Sequence, residues 1–294
     1  MNRQYPFLLV VLGAIWGSSY LFIKVGVREL SPAVLVEIRL LFAAPLLLAY
    51  AASRYGWGAL RRAWRVGLAL GVVNAAIPFT LIAWGERYVD SGTAAVANSS
   101  VPIFVALLAF FFVPSERSTG VRLVGVLLGL AGVAILAGVH PQGGLRGTAG
   151  IGAIVLASIS YAVANLYAGR RIAAGGPVLA ATSMAWAFVL LLPLAAATPP
   201  SHVPGWKPLG SAVALGLLGT AIAQILSYRM IRLWGSSRAV LVAYLLPAFA
   251  LFYGLVLLGE AITVQKLAGL VLITGGVALG AGAVRLSRRA VIVP

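Results

Sequence analysis

The segment ERSTGVRLVGVLLGLAGVAILAG at residues 116–138 returns in altered form as EAITVQKLAGLVLITGGVALGAG at residues 260–282. In each copy a basic residue stands six positions after the opening glutamate, and glycines stand nine, sixteen and twenty-two positions after it. Both copies are apolar and rich in glycine, which is typical of helices that pack closely inside a membrane. Two related helices half a chain apart predict an internal duplication.

The duplication extends from this pair towards the start of each half. Sliding the chain along itself by 145 residues aligns further side chains, and a single one-residue slip separates this offset from that of the first pair. The aligned residues are Trp16 with Tyr161, Tyr20 with Asn165, Phe22 with Tyr167, Pro32 with Pro177, Gly71 with Gly216, Ser91 with Ser236, and Pro102 with Pro247. The sequence therefore predicts two repeat units, residues 1–145 and residues 146–294.

The composition indicates that these repeats lie in a lipid bilayer. Of the 294 residues, 61% are hydrophobic and 10% are charged, whereas a soluble domain has about 25% charged residues. The mean hydropathy is +1.01, which excludes an ordinary soluble enzyme. A net charge of +16 would suggest nucleic acid as the partner of a soluble protein. Here the basic residues lie between apolar runs, as topology signals do.

Ten apolar runs are long enough to cross a bilayer, which takes about 20 residues per helix. They cover residues 5–25, 33–52, 65–84, 92–113, 120–138, 148–168, 177–197, 209–230, 237–257 and 265–284. Each predicted repeat contains five of these runs. The predicted fold is an all-α integral membrane protein with ten transmembrane helices in two five-helix repeats.

The Lys and Arg residues predict the orientation of these helices. With the N-terminus in the cytoplasm, 15 of the 22 lie on the cytoplasmic side and 6 on the opposite side, and Arg39 lies within a helix. This bias predicts that both termini are cytoplasmic. Because five is an odd number, the second repeat enters the membrane from the opposite side. Inverted repeats are typical of transporters that alternate access around a midplane site.

Few residues can support metal or covalent chemistry. The chain has no cysteine, 2 histidines and 6 acidic residues. This excludes disulfides, cysteine zinc sites and thiol catalysis, and it disfavours haem or an Asp-rich magnesium site. The phosphate-binding motif Gly-x-x-x-x-Gly-Lys-Ser/Thr, the zinc motif His-Glu-x-x-His and the hydrolase motif Gly-x-Ser-x-Gly do not occur. We therefore expect no enzyme activity, no cofactor and no metal.

Three motifs resemble those of the drug/metabolite transporter superfamily in its EamA-repeat branch. They are Gly13-Ala-Ile-Trp16-Gly17-Ser-Ser, Glu37-x-Arg39 and Leu258-Gly-Glu260-Ala-Ile-Thr263-x-x-Lys266-x-x-Gly269. The resemblance covers essentially the whole chain and is strongest to YddG-type exporters of aromatic amino acids. In the first copy Glu116 lacks the Leu-Gly pair that precedes Glu260, which leaves its role open.

This resemblance implies a secondary transporter in a bacterial inner membrane that exports small metabolites, above all aromatic or other apolar amino acids. The alternatives are an exporter of drugs or other metabolites and a nucleotide-sugar-type exchanger. The expected partners are a small-molecule substrate and the lipid bilayer, without nucleic acid, and the expected protein is a monomer, with a dimer as the alternative. A membrane-embedded lipid enzyme would need clustered acids or histidines at one membrane face, and the sequence lacks such clusters.

Arg39 is the charged residue that a bilayer makes most costly. It lies about seven residues into the second run, roughly 10 Å from the membrane surface, and a charge at a helix centre costs about 2.5–3.5 kcal/mol. It either binds a substrate carboxylate or extends to the surface and ties helix ends together. Glu37 points about 200° away from Arg39 on the helix. It is either a proton-coupling carboxylate or a helix-end contact.

Aromatic, amide and hydroxyl side chains recur inside the predicted spans, several of them four residues apart on one helix face. Together they predict a partly hydrated central cavity, although each one alone could also be a contact between helices. The predicted cavity residues besides Arg39 are Trp16, Tyr20, Asn74, Phe79, Asn98, Ser99, Ser158, Tyr161, Asn165, Trp186, Gln224, Tyr228 and Tyr244.

Prolines inside the spans predict bent helices, because each proline removes one backbone hydrogen bond. Pro78, Pro102 and Pro247 are candidates for kinks that open and close the cavity, and Pro102 and Pro247 are repeat equivalents. Static curvature that fits the helices to one another is the alternative.

Overall fold

A computed structural model describes residues 4–112, 121–138, 144–169, 175–235, 239 and 241–280. Every regular element within these residues is helical. The α-helices are α1 (Gln4–Gly26), α2 (Pro32–Leu70), α3 (Ile77–Gly85), α4 (Ser91–Asn98), α5 (Val101–Phe112), α6 (Val121–Gly138), α7 (Gly144–Gly169), α8 (Gly176–Ala197), α9 (Trp206–Gly216), α10 (Ala223–Trp234), α11 (Val242–Leu258) and α12 (Val264–Gly280). The predicted cytoplasmic termini, Glu116 and Ser236 lie outside the described residues.

Six helical segments of the described chain are long and apolar enough to cross a membrane. They are Gln4–Gly26, Pro32–Gly85, Ser91–Phe112, Gly144–Gly169, Gly176–Ala197 and Trp206–Trp234. Three shorter apolar helices accompany them, at Leu123–Leu136, Val242–Leu258 and Val264–Leu279. The prediction of an all-helical protein is confirmed for the described residues, and these six segments have the length and apolar character that a membrane span requires.

The longest of these segments, Pro32–Gly85, is interrupted at Gly56. This glycine has φ 76° and ψ 158°, a conformation that residues with a Cβ rarely adopt. The interruption separates the predicted runs 33–52 and 65–84. The residues between these runs are otherwise helical and expose Trp57, as a helix at a membrane surface does.

Two π-helical segments lie at equivalent places in the two halves. The first, π1 (Gly71–Ala76), joins α2 to α3, and the second, π2 (Leu217–Ile222), joins α9 to α10. A π-helical turn widens the helix and leaves carbonyl groups without their usual i→i−4 partners. Hydroxyl groups compensate: Ser160 Oγ donates to the Val73 carbonyl at 2.7 Å, and Thr220 Oγ1 donates to the Leu215 carbonyl at 2.9 Å.

The two glycine-rich copies found in the sequence, α6 and α12, pack against each other. A Cβ on Gly132 would lie 2.9 Å from Leu272 Cβ, and a Cβ on Gly276 would lie 2.5 Å from the Gly125 carbonyl oxygen. These glycines therefore allow the two helix backbones to approach within one chain.

Equivalent glycines in the two halves make equivalent contacts. A Cβ on Gly71 would lie 2.9 Å from the Ser183 carbonyl oxygen on α8, and a Cβ on Gly216 would lie 2.5 Å from the Arg39 carbonyl oxygen on α2. These positions correspond at an offset of about 145 residues. Each half therefore contacts the other through an equivalent glycine. These two contacts bring π1, π2 and Arg39 towards the middle of the bundle.

Candidate functional site

A central cavity of about 210 Å³ lies between the two halves. Eight of its lining residues belong to the set predicted from the sequence: Trp16, Tyr20, Arg39, Asn74, Phe79, Asn98, Tyr161 and Gln224. The remaining lining residues are Ser19, Ile23, Ile82, Met184, Gly219, Thr220 and Leu246. Aromatic rings, amides and one guanidinium therefore surround the same space.

Two contacts orient the Arg39 guanidinium at this cavity. Its Nε donates a hydrogen bond to Thr220 Oγ1 at 2.7 Å, and its Cζ lies 3.5 Å from the centroid of the Phe79 ring. Thr220 belongs to π2 and Phe79 follows π1, so each half contributes one contact. Among the hydrogen bonds between described residues, the guanidinium makes only the one through Nε. Its terminal nitrogens therefore remain as donors for an anion at the cavity.

A chain of hydrogen bonds fixes the polar groups opposite. Ser158 Oγ donates to Asn98 Oδ1 at 3.1 Å, and Asn98 Nδ2 donates to the Tyr20 hydroxyl at 2.7 Å. The chain links α7, α4 and α1. Ser158 is fully buried, so it positions Asn98 from behind instead of lining the cavity.

A second cavity, of about 320 Å³, adjoins the first. Asn74 lines both, so the π1 segment stands where they meet. Asn165 and Tyr228, both predicted as cavity residues, line the second cavity together with Gly169 and Gly176. We call this end of the bundle, defined by Asn165, Gly176 and Tyr228, the Tyr228 end.

Several predicted residues lie elsewhere in the described structure. Ser99 donates to the Ala95 carbonyl at the end of α4. Trp186 Nε1 donates to the Trp64 carbonyl at 2.9 Å, and the two rings are 5.1 Å apart. Tyr244 packs, partly buried, against the apolar core. Neither cavity has these three residues among its described lining.

Glu37 is 8% exposed and is not among the described lining residues of either cavity. Its carboxylate oxygens have no hydrogen-bond partner in the described part of the chain. The angular separation from Arg39 that the helix imposes accounts for this placement.

The three predicted kink prolines occupy different settings. Pro78 stands at the start of α3, directly after π1. Pro102 stands at the start of α5, just after the chain leaves α4. Pro247 lies inside the continuous helix α11. The repeat equivalents Pro102 and Pro247 thus differ in local structure, because the helix is broken before one and continuous through the other.

Polar contacts close the bundle at the opposite end, which we call the Glu86 end and define by Lys24, Glu86, Asp90, Glu260 and Lys266. Lys24 Nζ donates to the carbonyls of residues 86 and 89, at 2.7 Å each. Lys266 Nζ bonds Asp90 Oδ2 at 2.6 Å. Gly150 on α7 lies beside Gly85, and α7 continues from there to Gly169 at the Tyr228 end, which is about 30 Å away at 1.5 Å per residue.

The Glu260 carboxylate caps the N-terminus of α4 from a different element. Its Oε1 accepts from the Ser91 backbone N–H at 2.8 Å, and its Oε2 accepts from Ser91 Oγ at 3.0 Å and the Gly92 N–H at 3.1 Å. Free N–H groups and the helix dipole both favour a carboxylate there. The glutamate of the Leu258-Gly-Glu260 motif therefore stabilises the start of α4, a role that the sequence alone did not indicate.

Comparisons with known proteins agree with this architecture. The model of the EamA-like transporter family matches residues 4–138 and 148–281. A solved crystal structure that covers 98% of this chain, and is itself covered over 100% of its length, has the same fold at a TM-score of 0.68 and 19% identity.

Two relatives have names that mention amino acids. The chain is 32% identical to a probable terminal-alkyne amino-acid exporter of Streptantibioticus cattleyicolor, over 92% of this chain and 91% of the relative. It is 28% identical to a probable amino-acid metabolite efflux pump of Salmonella typhimurium, over 99% of both chains.

Proposed function

The chain belongs to the EamA-like transporter family, and from this premise we propose that it exports amino acids through the central cavity by alternating access. The observation that carries the proposal is the Arg39 guanidinium, held at the cavity by Thr220 and Phe79 with its terminal nitrogens unpaired among the described residues. A guanidinium can bind a carboxylate through two parallel hydrogen bonds. The substrate α-carboxylate occupies this position.

Aromatic groups on the facing helices hold the substrate side chain. Trp16, Tyr20 and Tyr161 line the cavity on α1 and α7. Rings of this kind bind apolar and aromatic bodies, and a few polar groups fix the orientation. The substrate class is therefore aromatic or other apolar amino acids, as the names of the two relatives suggest.

The charge of the cavity lining favours this class over its rivals. Arg39 is the only charged residue in the described lining of the two cavities, and no acidic residue is among them. A nucleotide sugar would need several cations for its phosphates, and a cationic drug would need an acid. A zwitterion needs one cation for its carboxylate and neutral acceptors for its ammonium.

The membrane topology of the proposal follows from the helices and the charge bias. The six long segments become seven when Pro32–Gly85 is divided at Gly56. With the three shorter apolar helices, the described residues supply ten candidate spans. We take residues 1–145 and 146–294 as inverted repeats with both termini in the cytoplasm of a bacterial inner membrane. The equivalent glycine contacts of the two halves support that duplication.

In this orientation the Tyr228 end faces the cytoplasm and the Glu86 end faces outward. The second cavity extends towards the Tyr228 end, whereas polar contacts hold the Glu86 end together. This conformation is therefore the one that loads substrate from the cytoplasm. Pro78, Pro102 and Pro247 stay the candidate kinks for the return movement, and Glu37 stays a candidate coupling carboxylate.

Transport by the purified protein in liposomes tests the proposed function. We expect saturable exchange of radiolabelled phenylalanine that excess unlabelled aromatic amino acid blocks. Empty liposomes are the control. If the folded protein exchanges no amino acid, the amino-acid assignment is wrong and other metabolites become the substrate class.

Thr220→Val should weaken substrate binding while the cavity keeps its shape. Valine removes the Oγ1 that accepts from Arg39 Nε, and a hydrogen bond to a charged group contributes about 1.5–3 kcal/mol. The apparent Kd for phenylalanine should therefore rise about tenfold or more, since about 1.4 kcal/mol corresponds to a factor of ten. Thr220→Ser retains the hydroxyl and should bind as the wild type does. Equal Kd values for the valine and serine variants would contradict this role.

A further inference from the structure

Glu86 is a buried carboxyl group that the proposed cavity does not use. It follows the last residue of α3, outside the apolar segment Pro32–Gly85. It is 0% exposed, and neither carboxylate oxygen has a hydrogen-bond partner among the described residues. Because an ionised carboxylate without partners is very costly to bury, a group in this position binds a proton instead.

The titratable neighbours of Glu86 come from two other elements. On α1, Lys24 directs Nζ to the backbone carbonyls of residues 86 and 89, and the Tyr20 hydroxyl interacts electrostatically with Glu86. In the α11–α12 connection, the Glu260 carboxylate also interacts electrostatically with Glu86. On α7, Gly150 and Ile154 pack against the adjacent Gly85 and carry no charge.

The two carboxyl groups differ in their hydrogen bonds. Glu260 accepts three, from Ser91 and Gly92. Glu86 has no such donors within the described structure. Burial raises the pKa of Glu86 well above its usual range, Lys24 opposes this rise, and the charge of Glu260 adds to it.

We propose that Glu86 is a proton-binding site whose occupancy determines whether the Glu86 end is closed or open. With a proton bound, the carboxyl group is neutral and fits the dry position between α1 and the α3–α4 connection. When α1 separates from that connection, water reaches the carboxyl group and the proton is released. Tyr20 connects the two functions, because it contacts Asn98 at the cavity and interacts with Glu86.

The direction of the pH dependence follows from these two states. In the open state the hydrated carboxyl group has an ordinary pKa of about 4.3, whereas in the closed state its pKa is higher. Low pH therefore stabilises the closed Glu86 end, and high pH stabilises the open one. As a coupling step, this inference rests on the proposed function, but the protonation and the movement can be measured without any substrate.

The closing experiment uses the absence of cysteine in the chain. Spin labels on Arg28→Cys and Arg87→Cys, two exposed positions on the facing connections, report the separation of α1 from the α3–α4 connection in lipid vesicles. We expect a single short distance at low pH, a second longer distance at high pH, and a midpoint well above the ordinary glutamate pKa of about 4.3. In the same background, Glu86→Gln should keep the short distance at every pH.

Infrared absorption supplies the second readout, with a matched control. The carbonyl absorption of protonated carboxylic acids should be present near neutral pH, and Glu86→Gln should remove a component of it that Glu37→Gln leaves in place. A band that Glu86→Gln leaves unchanged would overturn the proposal, as would a Glu86→Gln protein whose label distance still responds to pH. If exchange of amino acids fails while both readouts behave as expected, the substrate assignment is wrong and the proton site stands.

Discussion

Arg39→Ala should lower the affinity for phenylalanine by at least tenfold and leave the folded protein intact. The variant removes the cation that we place against the substrate carboxylate, and a hydrogen bond to a charged group contributes about 1.5–3 kcal/mol. Removing Arg39 leaves no unpaired buried charge behind, because its partners are the neutral residues Thr220 and Phe79. Counterflow in liposomes measures the affinity, and thermal unfolding in detergent checks the fold.

Arg39→Lys is the informative companion of this variant. Lysine keeps the charge, but it lacks the planar fork that can bind Thr220 and a carboxylate together. We expect an affinity between those of the wild type and the alanine variant. An alanine variant that exchanges phenylalanine with unchanged affinity would remove Arg39 from the binding site.

Gly276→Leu should prevent α6 and α12 from packing and should lower the unfolding temperature more than any other change considered for this chain. A Cβ at this position would lie 2.5 Å from the Gly125 carbonyl oxygen and 2.7 Å from the Gly129 backbone nitrogen. Both are backbone atoms, so no side-chain rotation can relieve the overlap. Overpacking a well-packed interior costs about 1–3 kcal/mol, and occasionally more.

The neighbouring glycine provides a matched control for this prediction. A Cβ on Gly275 would have no atom within 4 Å, so Gly275→Leu should unfold at nearly the wild-type temperature. The comparison is made by size-exclusion chromatography and thermal unfolding in the same detergent. Equal stability of the two variants would contradict the close packing of α6 on α12.

Much of the helical architecture was predictable because it depends on periodic, local properties of the chain. Apolar runs predicted membrane-spanning segments, and the constant spacing of Gly132 and Gly276 within their copies predicted related helices. The pairing of those two helices with each other could not be read from the sequence, because it depends on contacts between residues about 144 positions apart.

Part of the cavity was predictable because a charged side chain is costly to place in lipid. Arg39 needed a polar partner or water wherever it lay, and aromatic and amide residues four apart marked helix faces such as that of Trp16 and Tyr20. Thr220 was missed, although it continues the face of Gln224 by four residues towards the N-terminus. A single threonine in an apolar helix usually bonds to the backbone of its own helix. The hydrogen bond between Thr220 and Arg39 therefore could not be predicted without the structure.

The π-helical segments and Glu86 escaped prediction for different reasons. Neither Gly71 nor Gly216 carries a local signal for a π-helical turn, because the widening depends on hydroxyl partners such as Ser160 from another helix. Glu86 lies at the end of an apolar run, where a charged residue is ordinarily hydrated. Its complete burial depends on elements from distant parts of the sequence, such as α1, whose Lys24 contacts the backbone of residues 86 and 89.

A substrate–variant cycle tests the central claim most directly, because it asks whether Arg39 and the substrate carboxylate act on each other. Competition by phenylalanine and by phenylalanine amide is measured in liposomes for the wild type and for Arg39→Ala. The account predicts that the wild type prefers phenylalanine by about tenfold or more and that the alanine variant binds both compounds alike. A preference of the same size in both proteins would contradict it.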